Sequence, residues 1–188
     1  MVRKNRSNKK FISFSGPSCS GKTTIVNAIN WDDYFDDYKL VGSHTRVLKS
    51  EGLKICKDGD DETQRNIIKI HMKNFNDFKY NKSNVITDRC ILDGMAYTEW
   101  LHNGGKVSKE IFDYASSVFM KIVKHIDILF YCEPVEYKDD NDRKMSKKDH
   151  DMVCGLFTSY AGIFDYHQVV KLTGTVDERL KIVDGKLK

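Results

Sequence analysis

The sequence has few of the residues that punctuate, cross-link or anchor a chain. It contains only two prolines, Pro17 and Pro134, and no Gly-, Ser- or Pro-rich stretch divides its 188 residues. One domain is therefore expected over residues 10–188, with no linker. No apolar run approaches the roughly 18–20 residues of a membrane span. The basic start MVRKNRSNKK also lacks the apolar stretch of a secretory leader. Five cysteines (Cys19, Cys56, Cys90, Cys132, Cys154) are scattered, with no C-x-x-C pair and no histidine at ligand spacing. That excludes a disulfide framework or zinc ribbon and leaves the reduced thiols expected in a cytoplasm, bacterial or phage-infected. Charge of one sign is also nearly absent. The net is +4, and five basic residues lie in the first ten positions. Without them the body carries about −1, which argues against a basic nucleic-acid platform and leaves residues 1–9 as a flexible basic tail.

What remains is ample for a globular core: 40% hydrophobic and 31% charged residues, outside the range of disordered or fibrous chains. Short apolar runs at Lys10–Ser15, Tyr38–Ser43, Asn84–Thr87, Ile126–Cys132 and Gln168–Leu172 predict five strands. Helices are expected over Thr23–Trp31, from Asp60 to about Lys79, and from Val176 to about Val183. Two further amphipathic stripes mark helices: Ile111, Phe112, Ala115, Val118, Phe119, Ile122, Val123, then Met152, Val153, Leu156, Phe157, Tyr160, Ile163, Phe164. Apolar strands alternating with such helices predict an α/β fold, a parallel sheet with helices on both faces. Residues 135–148 (VEYKDDNDRKMSKK) are dense in charge and read as an exposed lid-like segment.

Gly16-Pro17-Ser18-Cys19-Ser20-Gly21-Lys22-Thr23 satisfies G-x-x-x-x-G-K-[ST] between a predicted strand and a predicted helix. In that setting the glycines let backbone N–H groups turn inward, and the helix N-terminus completes an anion cradle that runs on to Thr24. Lys22 is expected on the β- and γ-phosphates of a nucleoside triphosphate, and the Thr23 hydroxyl on Mg²⁺.

Asp88 ends the strand NVIT, which puts its carboxylate at the C-terminal edge of the sheet, where α/β ligands gather. There it is a candidate for the Mg²⁺ shell or for accepting a proton from a substrate hydroxyl; otherwise it is a helix cap. Arg89 is placed to grip a phosphate. Arginine is scarce, seven of the 31 basic residues. Arg143, in the charged segment, is a candidate to close over the triphosphate, unless that segment is a solvated loop. Arg46 and Gln64 are candidates for holding an acceptor phosphate or base, and equally for surface positions. His71 reads as a satisfied core residue, and Tyr97 and Trp100 as packing or as a stacking platform.

Taken in order, SHTRVLKSEGL, DDETQRNII, VITDRCILDGMAY and DRKMSKKD, after the P-loop, resemble the P-loop nucleoside and nucleotide kinases. Within them the likeness is to the small AAA-type group that contains the nicotinamide riboside kinase domain and many phage proteins, and it spans roughly residues 10–175. The resemblance implies a sheet order 2-3-1-4-5, ATP with Mg²⁺ as donor, and Asp88-Arg89 where relatives carry their catalytic acid and arginine. Cys90 departs from the aromatic or small residue that follows in thymidylate-kinase-like relatives, and the length leaves no room for an adenylyl-transfer domain. The expected reaction is transfer of the γ-phosphate of ATP to a nucleoside or deoxynucleoside monophosphate. The alternatives are a hydroxyl of DNA or RNA as acceptor, and a nucleotide-dependent ATPase switch. The partner expected is a small nucleoside or nucleotide; nucleic acid at the basic tail and a second copy as homodimer are further candidates.

Overall fold

The structure is a computed structural model that describes residues 9–34, 38–42, 44–80, 84–134 and 145–188. Five strands form one sheet: β1 (Phe11–Ser15), β2 (Tyr38–Val41), β3 (Asn84–Asp88), β4 (Ile128–Cys132) and β5 (Val169–Leu172). Every pairing is parallel and the order is β2-β3-β1-β4-β5, as the resemblance implies. The central strands β1 and β4 are buried along their whole length. This is what helices on both faces of a parallel sheet require.

Strand alternation sorts the core into two halves. Ile12 and Phe14 of β1, Ile86 of β3, and Ile128, Phe130 and Cys132 of β4 face α1 (Lys22–Ala28) and α7 (Val176–Leu187), where Ile25, Val26 and Val183 meet them. Phe11, Val85, Leu129 and Tyr131 face the other way. They pack under α3 (Asp61–Tyr80), α4 (Ile91–Asn103), α5 (Lys109–Ile122) and α6 (Lys147–Ala161). Phe14 stacks on Phe130 with ring centroids 4.8 Å apart and meets Trp31 edge-on. Period-2 alternation in β1 and β4 thus determines which helix layer each side chain serves.

The elements differ from the sequence pattern in instructive places. The first helix stops at Ala28, and Trp31–Asp33 forms a separate 3-10 turn whose Trp31 indole N–H donates to Val26 O. The sequence pattern assigns no helix at α2 (His44–Ser50) or α4. α4 carries no amphipathic stripe because it is buried on almost every side, packed among α3, α5 and α6. Gly94 makes that packing possible, since a Cβ there would lie 2.8 Å from Ile68 Cδ1. Residues 145–148 of the charged 135–148 segment belong to the start of α6: Met145 is buried, Ser146 caps the helix, and Lys147 and Lys148 begin it, while residues 135–144 lie outside the described residues. The charged side chains occupy the exposed face of that first turn, which hides a helix start from a charge-density reading. Residues 1–8 lie outside the described residues, while Lys9 donates through Nζ to Phe78 O at 2.6 Å.

Candidate functional site

The turn after β1 and the ends of β3 and β4 meet at the C-terminal edge of the sheet. Gly16 makes the first bend. Its φ is +149°, and a Cβ would sit 2.3 Å from Cys132 O, so backbone meets backbone and only glycine fits. Gly21, at φ +76°, leads directly into α1. Between them Cys19 takes a left-handed conformation (φ +62°). Alternating conformations of this kind turn successive N–H groups toward one concavity.

Lys22 folds into this loop. Only 5% exposed, its Nζ donates to Gly16 O (2.5 Å), Pro17 O (2.7 Å) and Ser20 Oγ (3.0 Å). Burial, and then the nearby Arg89 guanidinium, push its pKa down to about 8; Asp93 and Asp88 act in the opposite direction. Its ammonium is satisfied by loop carbonyls, which an incoming anion can replace with stronger charge-assisted bonds. Ser18 Oγ shares a hydrogen bond with Tyr97 Oη at 2.8 Å, and the Ser18 carbonyl lies 3.4 Å from His150 Nε2 of α6. Thr24 is exposed at the start of α1.

Asp88 lies opposite the loop. β3 runs beside β1 with Phe14 opposite Asp88, and Arg89 N donates to Phe14 O at 2.9 Å, which extends the pairing past the strand end. Thr23 Oγ1 donates to Asp88 Oδ2 at 2.7 Å. Asp88 Oδ1 is buried and has no hydrogen-bond partner among the described residues. A buried carboxylate oxygen without a donor is unusual. Together with the Thr23 hydroxyl it suits a hard cation such as Mg²⁺, which takes one or two protein oxygens and fills its other positions with phosphate and water.

Arg89 is held at φ +88°, rare for a residue with a side chain. Its Nη1 forms an ion pair with Asp93 Oδ1 at 3.0 Å. Burial is the largest influence and works against its charge, but Asp93, Tyr97, Asp88 and Cys56 together outweigh it and raise the Arg89 pKa.

The other sequence candidates divide. Gln64 is buried in the first turn of α3, where Thr98 Oγ1 donates to its Oε1 at 3.0 Å. It lies beside Gly59, a would-be Cβ there being 3.2 Å from Gln64 Nε2. Asp61, two residues before the buried Thr63, accepts from Ser108 N and so ties α3 to α5. Arg46 lies in α2 with its side chain outside the described residues, and Arg143 lies outside them altogether. His71 is buried beside Gly94. Tyr97 packs edge-on to Trp100 and Phe157 and gives its hydroxyl to the loop, so its ring is a packing element.

Two side chains at this edge carry no motif signal. Arg179 of α7, 4% exposed, donates Nη1 to Ser20 O (2.6 Å) and Nε to Gly174 O (3.0 Å), bracing the loop from behind. Its only sequence hint is the Thr175–Glu178 capping box that starts α7. Asp93 of α4, 3% exposed, accepts from Ser15 Oγ, Cys90 N and Arg89 Nη1. An arginine and an aspartate four residues apart, D-R-x-x-x-D, was the available clue.

Comparison with known proteins fits this geometry. The family model described as AAA domain matches residues 11–179. No curated protein matches the sequence. Among solved structures, the chain is similar to NadR protein in complex with NR at TM-score 0.64 and 14% identity, covering 95% of this chain and 51% of that one. The chain thus spans about half the length of NadR. It is also similar to deoxyadenosine kinase from M. mycoides bound to dATP (TM-score 0.63, 13% identity, 94% of this chain and 98% of that one). A third likeness is to thymidylate kinase from Ehrlichia chaffeensis (TM-score 0.62, 18% identity, 94% and 98%). Identities this low establish the shared fold.

Proposed function

The chain belongs to the AAA domain family, and from that membership we propose that it is an ATP- and Mg²⁺-dependent phosphotransferase. In this reading it moves the γ-phosphate to a nucleoside or a deoxynucleoside monophosphate. One observation carries the reading: a G-x-x-x-x-G-K-T turn with its lysine buried in the cup faces Asp88-Arg89 across 2.7 Å from Thr23 to Asp88. The fold shared with a nucleoside kinase and a nucleotide kinase supports it.

Backbone N–H groups of residues 18–21 and the start of α1 would hold the triphosphate. Lys22 would leave the loop carbonyls for the β- and γ-phosphates, and Arg143 would come over them from the charged segment. Thr23 and Asp88 would hold Mg²⁺, which supplies neutralisation of the charge on the transferred group. Arg89, steadied by Asp93, would hold the acceptor near the γ-phosphate, with Arg46 and Gln64 on the acceptor side. For a hydroxyl acceptor, Asp88 would take the proton instead of serving the Mg²⁺ shell; a phosphate acceptor is already ionised and needs no base.

The test is incubation with ATP and Mg²⁺ against nucleosides, nucleoside monophosphates and short oligonucleotides, with ADP and phosphorylated product measured. Turnover dependent on one monomeric class supports the reading and names the acceptor. Turnover on oligonucleotides alone moves the acceptor to a polynucleotide. ADP release indifferent to every acceptor replaces the reading with an ATPase.

A further inference from the structure

Asp93 is placed for more than capping α4. A cap needs one carboxylate oxygen on the Cys90 N–H, and Oδ2 supplies it at 3.0 Å. The same oxygen accepts from Ser15 Oγ at 2.7 Å, at the last residue of β1 before the loop. The other oxygen takes the Arg89 guanidinium at 3.0 Å. A buried carboxylate is costly unless paired, and here the pairing is with a specific cation. Arg89 is fixed from two sides, by its N–H on Phe14 O and by Asp93, in a left-handed conformation that a side chain ordinarily avoids. One turn further along α4, Tyr97 reaches Ser18 in the loop itself. The first half of α4 therefore reaches the end of β1 through Asp93 and the loop through Tyr97, and Asp93 joins its base to Arg89.

Resting on the kinase reading, we propose that Asp93 is a positioning residue for phosphoryl transfer. It sets the direction of the Arg89 guanidinium relative to the triphosphate loop and offsets the positive charge that Arg89 and Lys22 bring to one edge of the sheet. The buried Lys22 and the partly buried Arg89 repel each other, and Asp93 is the first of the acidic groups that restore charge to Lys22.

Asp93→Asn separates this role from capping. The amide oxygen can still accept from Cys90 N and Ser15 Oγ, but the amide nitrogen then faces Arg89, donor against donor. The chain folds, with the Asp93–Arg89 ion pair lost. Arginine side-chain NMR reads this directly. Arg89, identified by its loss in Arg89→Lys, shows hindered guanidinium rotation in the unsubstituted protein and faster rotation in Asp93→Asn. In turnover, kcat falls on the order of a hundredfold through misplacement. KM for ATP stays level or falls, because a buried negative charge has gone; a purely structural defect would raise it. If Asp93→Asn does not fold, Ser15→Ala removes one restraint on the carboxylate while keeping the cap and the charge, and Arg89 rotation should quicken there. Arg89 rotation equally hindered in the folded variant overturns the inference, whatever the unsubstituted protein catalyses. Absence of transfer to any acceptor by the unsubstituted protein overturns the kinase reading instead.

Discussion

Replacing Gly16 with alanine tests the loop geometry at its tightest point. The added Cβ would meet Cys132 O at 2.3 Å and Ser20 Oγ at 3.1 Å. The first contact is with the backbone of β4, a buried central strand of the sheet, so no flexible side chain can give way. Two costs add: overpacking of about 1–3 kcal/mol, and the strain of a side chain at φ +149°, a further 1–3 kcal/mol or so. The sum, roughly 2–6 kcal/mol, is a large part of the 5–15 kcal/mol typical of a domain. Urea unfolding at fixed pH measures it, and triphosphate binding should be lost with it. Gly42→Ala is the control: among the described residues no atom lies within 4 Å of its would-be Cβ and its φ is not positive, so a change of only about 0.5 kcal/mol is expected. Equal midpoints for the two variants would refute the claim that the loop is closed against β4.

Three further outcomes follow from the same geometry. Because burial lowers the Lys22 pKa to about 8 in the ligand-free protein, its charge is lost as pH rises through that value. A triphosphate favours the charged form, so binding takes up a proton above pH 8 and affinity falls by up to about tenfold per unit. Calorimetry in buffers of different ionisation enthalpy detects the uptake, which Lys22→Met abolishes. Asp88→Asn should cut turnover severely, on the order of a hundredfold or more, when the acceptor is a hydroxyl, and only mildly when it is a phosphate. Steady-state kinetics on the acceptor found measures the loss, and a mild loss with a nucleoside refutes the base role. Phe130→Ala, which removes a fully buried ring stacked on Phe14, should cost about 3–5 kcal/mol in urea unfolding.

The sequence made the loop legible because its chemistry depends on fixed spacing: two glycines, a lysine and a threonine within eight residues of a strand end. The strands were legible too, since the buried β1 and β4 read as short β-prone runs. α4 escaped notice because burial on almost every side erases the helical stripe, and two of its polar residues, Asp93 and Thr98, face inward. Arg179 escaped for a different reason. It reaches Ser20 across 159 residues of chain, and nothing in VDERLK reports what its guanidinium meets. Gln64 was readable as a candidate, but its pairing with Thr98 is a tertiary fact.

The central claim is that the γ-phosphate leaves ATP for an acceptor bound beside Asp88-Arg89. Following a radiolabelled γ-phosphate through a single turnover, with the full acceptor panel present, tests it most directly. The account predicts label on a nucleoside or nucleotide product and none in Lys22→Met. Label found only as inorganic phosphate, at a rate unchanged by any acceptor, would contradict it.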